Sequence, residues 1–236
     1  MRKNEIHLFN TICNNIAKLV SDHYIRIAFC NSLIKLGYFC GMKKITGIIL
    51  CGGKSCRFGE DKGLCTLGGK RMIDYPLEAL SDICDEIIIS SNDDRYFNLG
   101  YKVIPDKVKN IGPLGGIYTA LLESNSDDNI IISCDMPFVG KELLQYILKQ
   151  KHNSLIASAF EGEYVEPLCS YYHKSIIPLV EEMIETKRFK LTRLLEKANY
   201  KKIVIDDNLQ FYKKHLFLNI NTQIEYNKAV QILNKN

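Results

Sequence analysis

The chain has 236 residues, 46% hydrophobic and 25% charged, which predicts one globular α/β domain with at most a short appendage. Nine cysteines, an odd number without a C-x-x-C pair, argue against a disulfide framework and a zinc site; reduced thiols in a cytoplasmic protein are the plain reading, and no apolar run approaches the ~20 residues of a membrane helix. The net charge of +4 is uneven: residues 1–41 hold five basic side chains against Glu5 and Asp22, so the nearly balanced remainder lacks a basic field for nucleic acid and suits small anions.

Residues 1–41 read as an extension outside the fold. Phe9, Ile12, Cys13, Ile16 and Val20 have helical spacing. A signal peptide is not indicated, because Glu5 follows Arg2 and Lys3, and Asn, Ser and Lys interrupt every apolar segment. From Lys43 onward strand and helix signals alternate. Strands are predicted at Ile45–Cys51, Glu86–Ser90, Lys102–Ile104, Asn129–Ser133, Ser154–Ala159, Val165–Tyr171, Tyr200–Ile205 and Phe217–Ile220. Helices are predicted at Met72–Ser81, Pro113–Ser124, Lys141–Lys151, Ser175–Glu185, Lys190–Ala198 and Thr222–Asn234. This alternation predicts a mostly parallel sheet with helices on both faces. In such sheets ligands sit at the carboxyl ends of the strands.

The most informative loop follows the first strand and carries Gly52, Gly53, Lys54, Ser55, Arg57, Gly59, Asp61 and Lys62. Glycine lets backbone approach a ligand closely, and successive N–H groups in such a turn form a concavity for phosphates. Two commoner phosphate loops do not fit. A Walker motif ending in Gly53-Lys54-Ser55 needs glycine at position 48, which is Ile48, and a G-x-G-x-x-G fingerprint fails at Lys54. A bare Gly-Gly is more often a tight turn with solvated charges; the full spacing is much harder to meet by accident.

Three further loops fall at strand ends. Ser90-Ser91-Asn92 is the kind of polar cluster that usually marks a turn. Asp106 is followed by Gly112-Pro113-Leu114-Gly115-Gly116, where Pro113 suits a helix start but three glycines exceed what a helix start needs. Asp135, in Ser133-Cys134-Asp135-Met136-Pro137, sits just past an apolar strand, where a carboxylate is costly unless paired or metal-bound. On position alone, a capping aspartate and a magnesium ligand stand even. Asn221 or Thr222 can cap the last helix, and Thr222 is the better cap. No His/Cys/Asp arrangement suggests a hydrolytic triad, and His152, His173 and His215 lie outside these loops.

The spacing hydrophobic-x-G-G-x-S-x-R-x-G-x-D-K resembles the opening of the molybdenum cofactor guanylyltransferases, with Leu50, Gly52, Gly53, Ser55, Arg57, Gly59, Asp61 and Lys62 matching and Phe58 in place of methionine. Ser133-Cys134-Asp135-Met136-Pro137 contains the family's C-D-x-P. Gly112–Gly116 is close to its G-P-L-A-G, with Gly115 replacing alanine, and Phe217–Thr222 matches its F-x-N-x-N-T. The matches run from Met42 to Thr222. Since Met42-Lys-Lys-Ile-Thr-Gly is a family-like start, the resemblance implies a domain over residues 42–236.

It also implies a single Rossmann-like nucleotidyltransferase domain that moves GMP from GTP to the phosphate of molybdopterin. GTP would be bound by Leu50, Cys51, Gly52, Gly53, Ser55, Lys62, Ser90, Asn92, Asp106, Gly112, Pro113, Leu114 and Asp135. Arg57, Lys62 and Asp135 would be catalytic, Asp135 would carry Mg2+, and Asn219 and Asn221 would lie on the pterin side. Glu166-Pro167-Leu168 resembles a segment near the acceptor. The family often has asparagine where Ser90 stands, so either Ser90 or Asn92 could take that role. Contacts would be transient, with cofactor-delivery proteins or molybdoenzymes.

Two rivals remain. A cytidylyl- or sugar-phosphate nucleotidylyltransferase would share the fold, but cytidylyl relatives tend to have alanine at the position of Gly52, so Gly52 favours a purine. A non-catalytic nucleotide-binding regulator would not require Arg57, Lys62 and Asp135 together.

Overall fold

The computed structural model describes residues 44–52 and 61–234, all within one compact unit, Lys44–Asn236. Nine strands are assigned among them: β1 (Ile45–Leu50), β2 (Thr66–Leu67), β3 (Lys70–Arg71), β4 (Glu86–Ser90), β5 (Lys102–Ile104), β6 (Asp128–Ser133), β7 (Ile156–Glu161), β8 (Tyr164–His173) and β9 (Lys201–Val204). The helices are α1 (Asp74–Ser81), α2 (Pro113–Glu123), α3 (Lys141–Gln150), α4 (Ile177–Glu185), α5 (Leu191–Lys197) and α6 (Gln223–Leu233). Short 3₁₀ segments occur at Lys62–Leu64, Asp94–Leu99 and Lys174–Ile176.

Seven strands form one sheet in the order β5-β4-β1-β6-β8-β7-β9. Four adjacent pairs are parallel, and β8 runs antiparallel to both of its neighbours, so the sheet is mostly parallel. The alternation of a strand decides which residues face which layer. Ile49, Ile89, Ile130 and Ile132 pack on one face with Leu77 and Leu80 of α1 and Leu143, Leu144 and Ile147 of α3. Ile48, Leu50, Ile88 and Ile131 pack on the other with Ile117 and Leu121 of α2 and Val180 and Met183 of α4. Both faces are thus covered by helices, and each fully buried aliphatic side chain contributes ~1.5–3 kcal/mol.

Beyond shifts of one or two residues at the ends of other elements, the structure departs from the sequence reading in three places. Phe217–Ile220 is not a strand. Its surroundings turn on themselves, with Leu216 N bonded to Lys213 O and Leu218 N to His215 O, and only Ile220 N reaches the sheet's edge, at Asp135 O (3.0 Å). The strand predicted at Ser154–Ala159 runs instead over Ile156–Glu161, because β7 and β8 continue into a hairpin closed by Gly162-Glu163. The hairpin β2–β3 was not anticipated; Gly68 and Gly69 take φ of +58° and +90° in its two-residue loop, conformations that a side chain disfavours. It packs against α6 through Leu67, Met72, Ile220 and Ala229. Thr222 caps α6 in a reciprocal capping box with Glu225, as its position predicts.

The two ends of the parallel strands differ chemically. At the amino end, Asp128 accepts from Lys151 (3.1 Å) and Tyr171 (2.5 Å), closing the charge inside the fold. At the carboxyl end Ser90, Ser91 and Ser133 are buried while Lys62, Asp106 and Asp135 are partly exposed. No helix among the described residues is long and apolar enough to cross a membrane.

Candidate active site

Strands β1 and β6 run side by side in the register Leu50↔Ser133, so Cys51 and Cys134 leave the sheet together. Both thiols are buried; burial and the neighbouring Cys134 push the Cys51 thiol up, keeping it protonated. The next residue of β6's exit, Asp135, is turned by Ser133, whose hydroxyl donates to Oδ1 at 2.6 Å. Its other oxygen, Oδ2, lies 3.5 Å from Lys62 Nζ, and the two side chains are 16% and 14% exposed. The same ammonium donates to Asn221 Oδ1 just before α6. Lys62, Asp135 and Asn221, far apart in the chain, therefore converge at one point, with Asn219 half-buried two residues earlier.

The support beneath Lys62 is a residue that motif reasoning missed. Tyr96, fully buried on the 3₁₀ segment Asp94–Leu99, donates its hydroxyl to Asp61 Oδ1. That oxygen also accepts from Gly63 N at 3.0 Å, capping the turn that presents Lys62. Residue 63 must be glycine here, because a Cβ would lie 2.3 Å from the Tyr96 hydroxyl oxygen. Burial, then Cys51, Cys134 and Asp61, push the Tyr96 phenol far up, so it remains a proton donor. An aromatic residue in an irregular segment carries no local signal of such a role.

On the opposite side of β1, beyond β4, a second polar group forms. Asp106, just past β5, accepts from Ser90 Oγ (3.4 Å) on Oδ1 and from Asn92 Nδ2 (3.2 Å) on Oδ2, while Asp106 N donates to Asn92 Oδ1 (3.1 Å). Both candidates for the asparagine role thus hold the same carboxylate. Helix α2 abuts it: a Cβ on Gly116 would sit 2.7 Å from Ser90 Oγ and 3.1 Å from Leu50 Cδ2. A Cβ on Gly115 would come within 2.6 Å of the Val108 carbonyl. These close approaches account for two of the glycines that a helix start left unexplained. Gly112 and Pro113 are exposed at the mouth and Leu114 is buried beneath them.

Leu50 and Cys51 form the buried end of β1, and Gly52 is exposed, with nothing among the described residues within 4 Å of where a Cβ would stand. Gly53, Ser55 and Arg57 lie outside the described residues. Among the described residues no group of three His, Cys, Asp or Glu side chains could hold a metal ion alone. Asp135 offers one carboxylate of hard oxygen donors at the rim, which suits a cation that takes its remaining ligands from substrate and water.

Residues 47–202 match the family model described as the MobA-like NTP transferase domain. The chain is 36% identical over 187 residues to the "probable molybdenum cofactor guanylyltransferase" of Flavobacterium johnsoniae, covering 79% of this chain and 96% of that protein. It is 34% identical to the protein of the same name from Natranaerobius thermophilus, over 81% of this chain and 97% of that one. Among solved structures it resembles the molybdopterin-guanine dinucleotide biosynthesis protein A of Archaeoglobus fulgidus, with a TM-score of 0.70 and 27% identity over 81% of this chain and 100% of the other.

Proposed function

Since this chain belongs to the MobA-like NTP transferase family, we propose that it transfers GMP from GTP to the phosphate of molybdopterin, bearing molybdenum or not, and releases pyrophosphate. The observation that carries this reading is the meeting of Lys62 and Asp135, 3.5 Å apart, at the carboxyl edge of β1 and β6. One side of that edge holds the Asp106 group, and this reading assigns the other, toward β8, to the acceptor.

In this reading the guanine edge, with its adjacent N–H and NH2 donors, lies against the Asp106 carboxylate, which Ser90 and Asn92 hold in place. Gly112, Pro113 and Leu114 wall the base. Leu50 and Cys51 floor the nucleotide, and backbone N–H groups around Gly52, Gly53 and Ser55 hold the triphosphate, as phosphate nests do. Arg57 pairs with the leaving phosphates. Lys62 stabilises charge at the α-phosphorus, released from Asn221 and Asp135 as the nucleotide arrives. The acceptor phosphate is already an anionic nucleophile, so no general base is required. Positioning and charge stabilisation do the chemistry.

Asp135 is the residue that would hold Mg2+, its Oδ1 fixed by Ser133. Magnesium there would neutralise phosphate charge in the transition state. Asn219 and Asn221 face the acceptor, and the product passes by transient contact to cofactor-delivery proteins or molybdoenzymes. Free thiols at Cys51, Cys65, Cys84, Cys134 and Cys169 fit action in the cytoplasm. We assign the activity to residues 42–236.

The test is to incubate purified protein with Mg2+, molybdopterin and either GTP or CTP, each labelled at the α-phosphate. Guanine dinucleotide formed together with pyrophosphate, and only when molybdopterin is present, is the expected result. A cytosine product alone, or binding of GTP without turnover, would overturn the proposal. Residues 42–236 expressed alone should match the full chain; their failure to fold would overturn only the domain assignment.

A further inference from the structure

On the side of Asp135 away from the Asp106 group, the sheet carries a feature the roles above leave unused. The antiparallel ladder between β6 and β8 ends at Ile132↔Cys169. Beyond it β6 turns out through Asp135, while β8 holds Glu166 three residues before Cys169, on the same edge. At this level the β7–β8 pairing slips from Ser158↔Ser170 to Ala159↔Glu166, so Pro167, Leu168 and Cys169 form a bulge. Bulges re-aim side chains next to sites.

This bulge is tied down by buried hydroxyls. Ser158 and Ser170, both fully buried, donate to the Glu166 carbonyl at 3.0 and 2.7 Å, and Tyr172 donates to the Pro167 carbonyl at 2.9 Å. The backbone at Glu166 and Pro167 is held by three side chains, yet the half-buried Glu166 carboxyl has no hydrogen bond or ion pair among the described residues. Burial, then Glu161 of β7, then Asp135, push that carboxyl up to about 7. A carboxylate kept unpaired in such a place is costly unless a ligand completes it.

The sheet order decides which ligand. Asp106 follows β5, Lys62 and Asp135 lie at the ends of β1 and β6, and Glu166 is on β8. A nucleotide with its base at Asp106 and its α-phosphate at Lys62 leaves Glu166 on the acceptor's side. Phosphates are repelled by an unpaired carboxylate. The pterin ring of the acceptor, in contrast, has an amino group and a ring N–H side by side, a donor pair that one carboxylate accepts in two parallel bonds. We propose that Glu166 binds this donor edge of the molybdopterin pterin and selects the acceptor, as Asp106 selects the base. The inference rests on the guanylyltransferase reading and names a residue for its acceptor half.

The experiment compares wild type, Glu166→Gln and Glu166→Asp, varying molybdopterin and GTP separately, and measures molybdopterin binding by equilibrium dialysis without GTP. Glutamine keeps the size but turns an NH2 toward the donors. We expect its KM and Kd for molybdopterin to rise about 10-fold or more, with the KM for GTP, the magnesium midpoint and kcat at saturating acceptor unchanged. Glu166→Asp, which keeps the charge, should fall between. Unchanged acceptor binding in a folded, active Gln variant overturns the inference and leaves the reaction standing. A shift confined to GTP or magnesium overturns it too, by making Glu166 a donor-side or metal group. A wild type that forms no guanine dinucleotide overturns both.

Discussion

Tyr96 donates its buried hydroxyl to the carboxylate of Asp61, the residue directly before Lys62. The bond joins the 3₁₀ segment after β4 to the turn that presents the Lys62 ammonium. It makes a tyrosine with no solvent exposure a positioning element of the site.

Tyr96→Phe removes that bond and leaves Asp61 Oδ1, among the described residues, with only the Gly63 amide. A buried hydrogen bond to a charged group is worth ~1.5–3 kcal/mol, so Tm should fall by roughly 3–12 °C for a domain of this size. At a temperature where the variant remains folded, kcat should fall about 10-fold while the KM for GTP changes little. Calorimetry and steady-state kinetics check this; wild-type kcat would show that Lys62 does not depend on the bond.

Asp135→Asn keeps the shape of the residue and its bond with Ser133 but removes the charge facing Lys62. Turnover should fall ~100-fold or more, a barrier increase of ~3 kcal/mol. Metal-free Tm should change little, because the lost partner is itself a partly solvated ammonium. Kinetics across a magnesium titration are the check. Near-normal turnover with normal magnesium dependence would make Asp135 a structural cap.

Two glycines of the candidate site should respond differently. The family pattern has alanine where this chain has Gly115, yet here that methyl meets the Val108 carbonyl at 2.6 Å. Gly115→Ala should therefore destabilise the fold by ~1–3 kcal/mol and loosen the loop carrying Asp106. Gly52→Ala meets nothing among the described residues within 4 Å and should leave Tm unchanged. It should lower kcat/KM for GTP more than for CTP, by a discrimination of ~1–3 kcal/mol. Melting curves and the GTP/CTP ratio for both variants decide.

Glu166 also gives a pH signature that needs no substrate. Its folded pKa of about 7 lies above the ordinary carboxylate value. Stability from this residue is therefore fully present below pH ~4 and is lost as pH rises through ~7. Glu166→Gln should melt close to wild type near pH 5 and above it at pH 8. The gain should be on the order of 1–2 kcal/mol once solvent screening of a half-buried group is included. Metal-free melting at the two pH values measures it, and a constant difference would contradict the burial of that carboxyl.

The strand-end loops of the candidate site were legible because their signals are local. Gly52, Asp106 and Asp135 each follow an apolar run that reads as a strand, and chemistry at strand ends follows from the α/β pattern. Tyr96 was not legible, since its importance is a contact with Asp61 across 35 positions. Nor was β8's place between β6 and β7, because strand order is set by tertiary pairing and not by periodicity. Phe217–Ile220 looked like a strand from its apolar residues, but the turn beginning at Lys213 consumes backbone groups that a ladder would have used. Asn221 was placed on the acceptor side by resemblance alone; its bond to Lys62 appears only in the folded chain.

That bond spans 159 positions, and the neighbouring amide of Ile220 closes on the Asp135 carbonyl. During synthesis, the sheet strands and the Asp106 wall all emerge before the segment that completes the Lys62 environment. A chain halted at residue 210 would carry every strand of the sheet together with Asp106 but neither Ile220 nor Asn221, so the contacts that tie Asp135 and Lys62 to the last segment can form only once the molecule is whole.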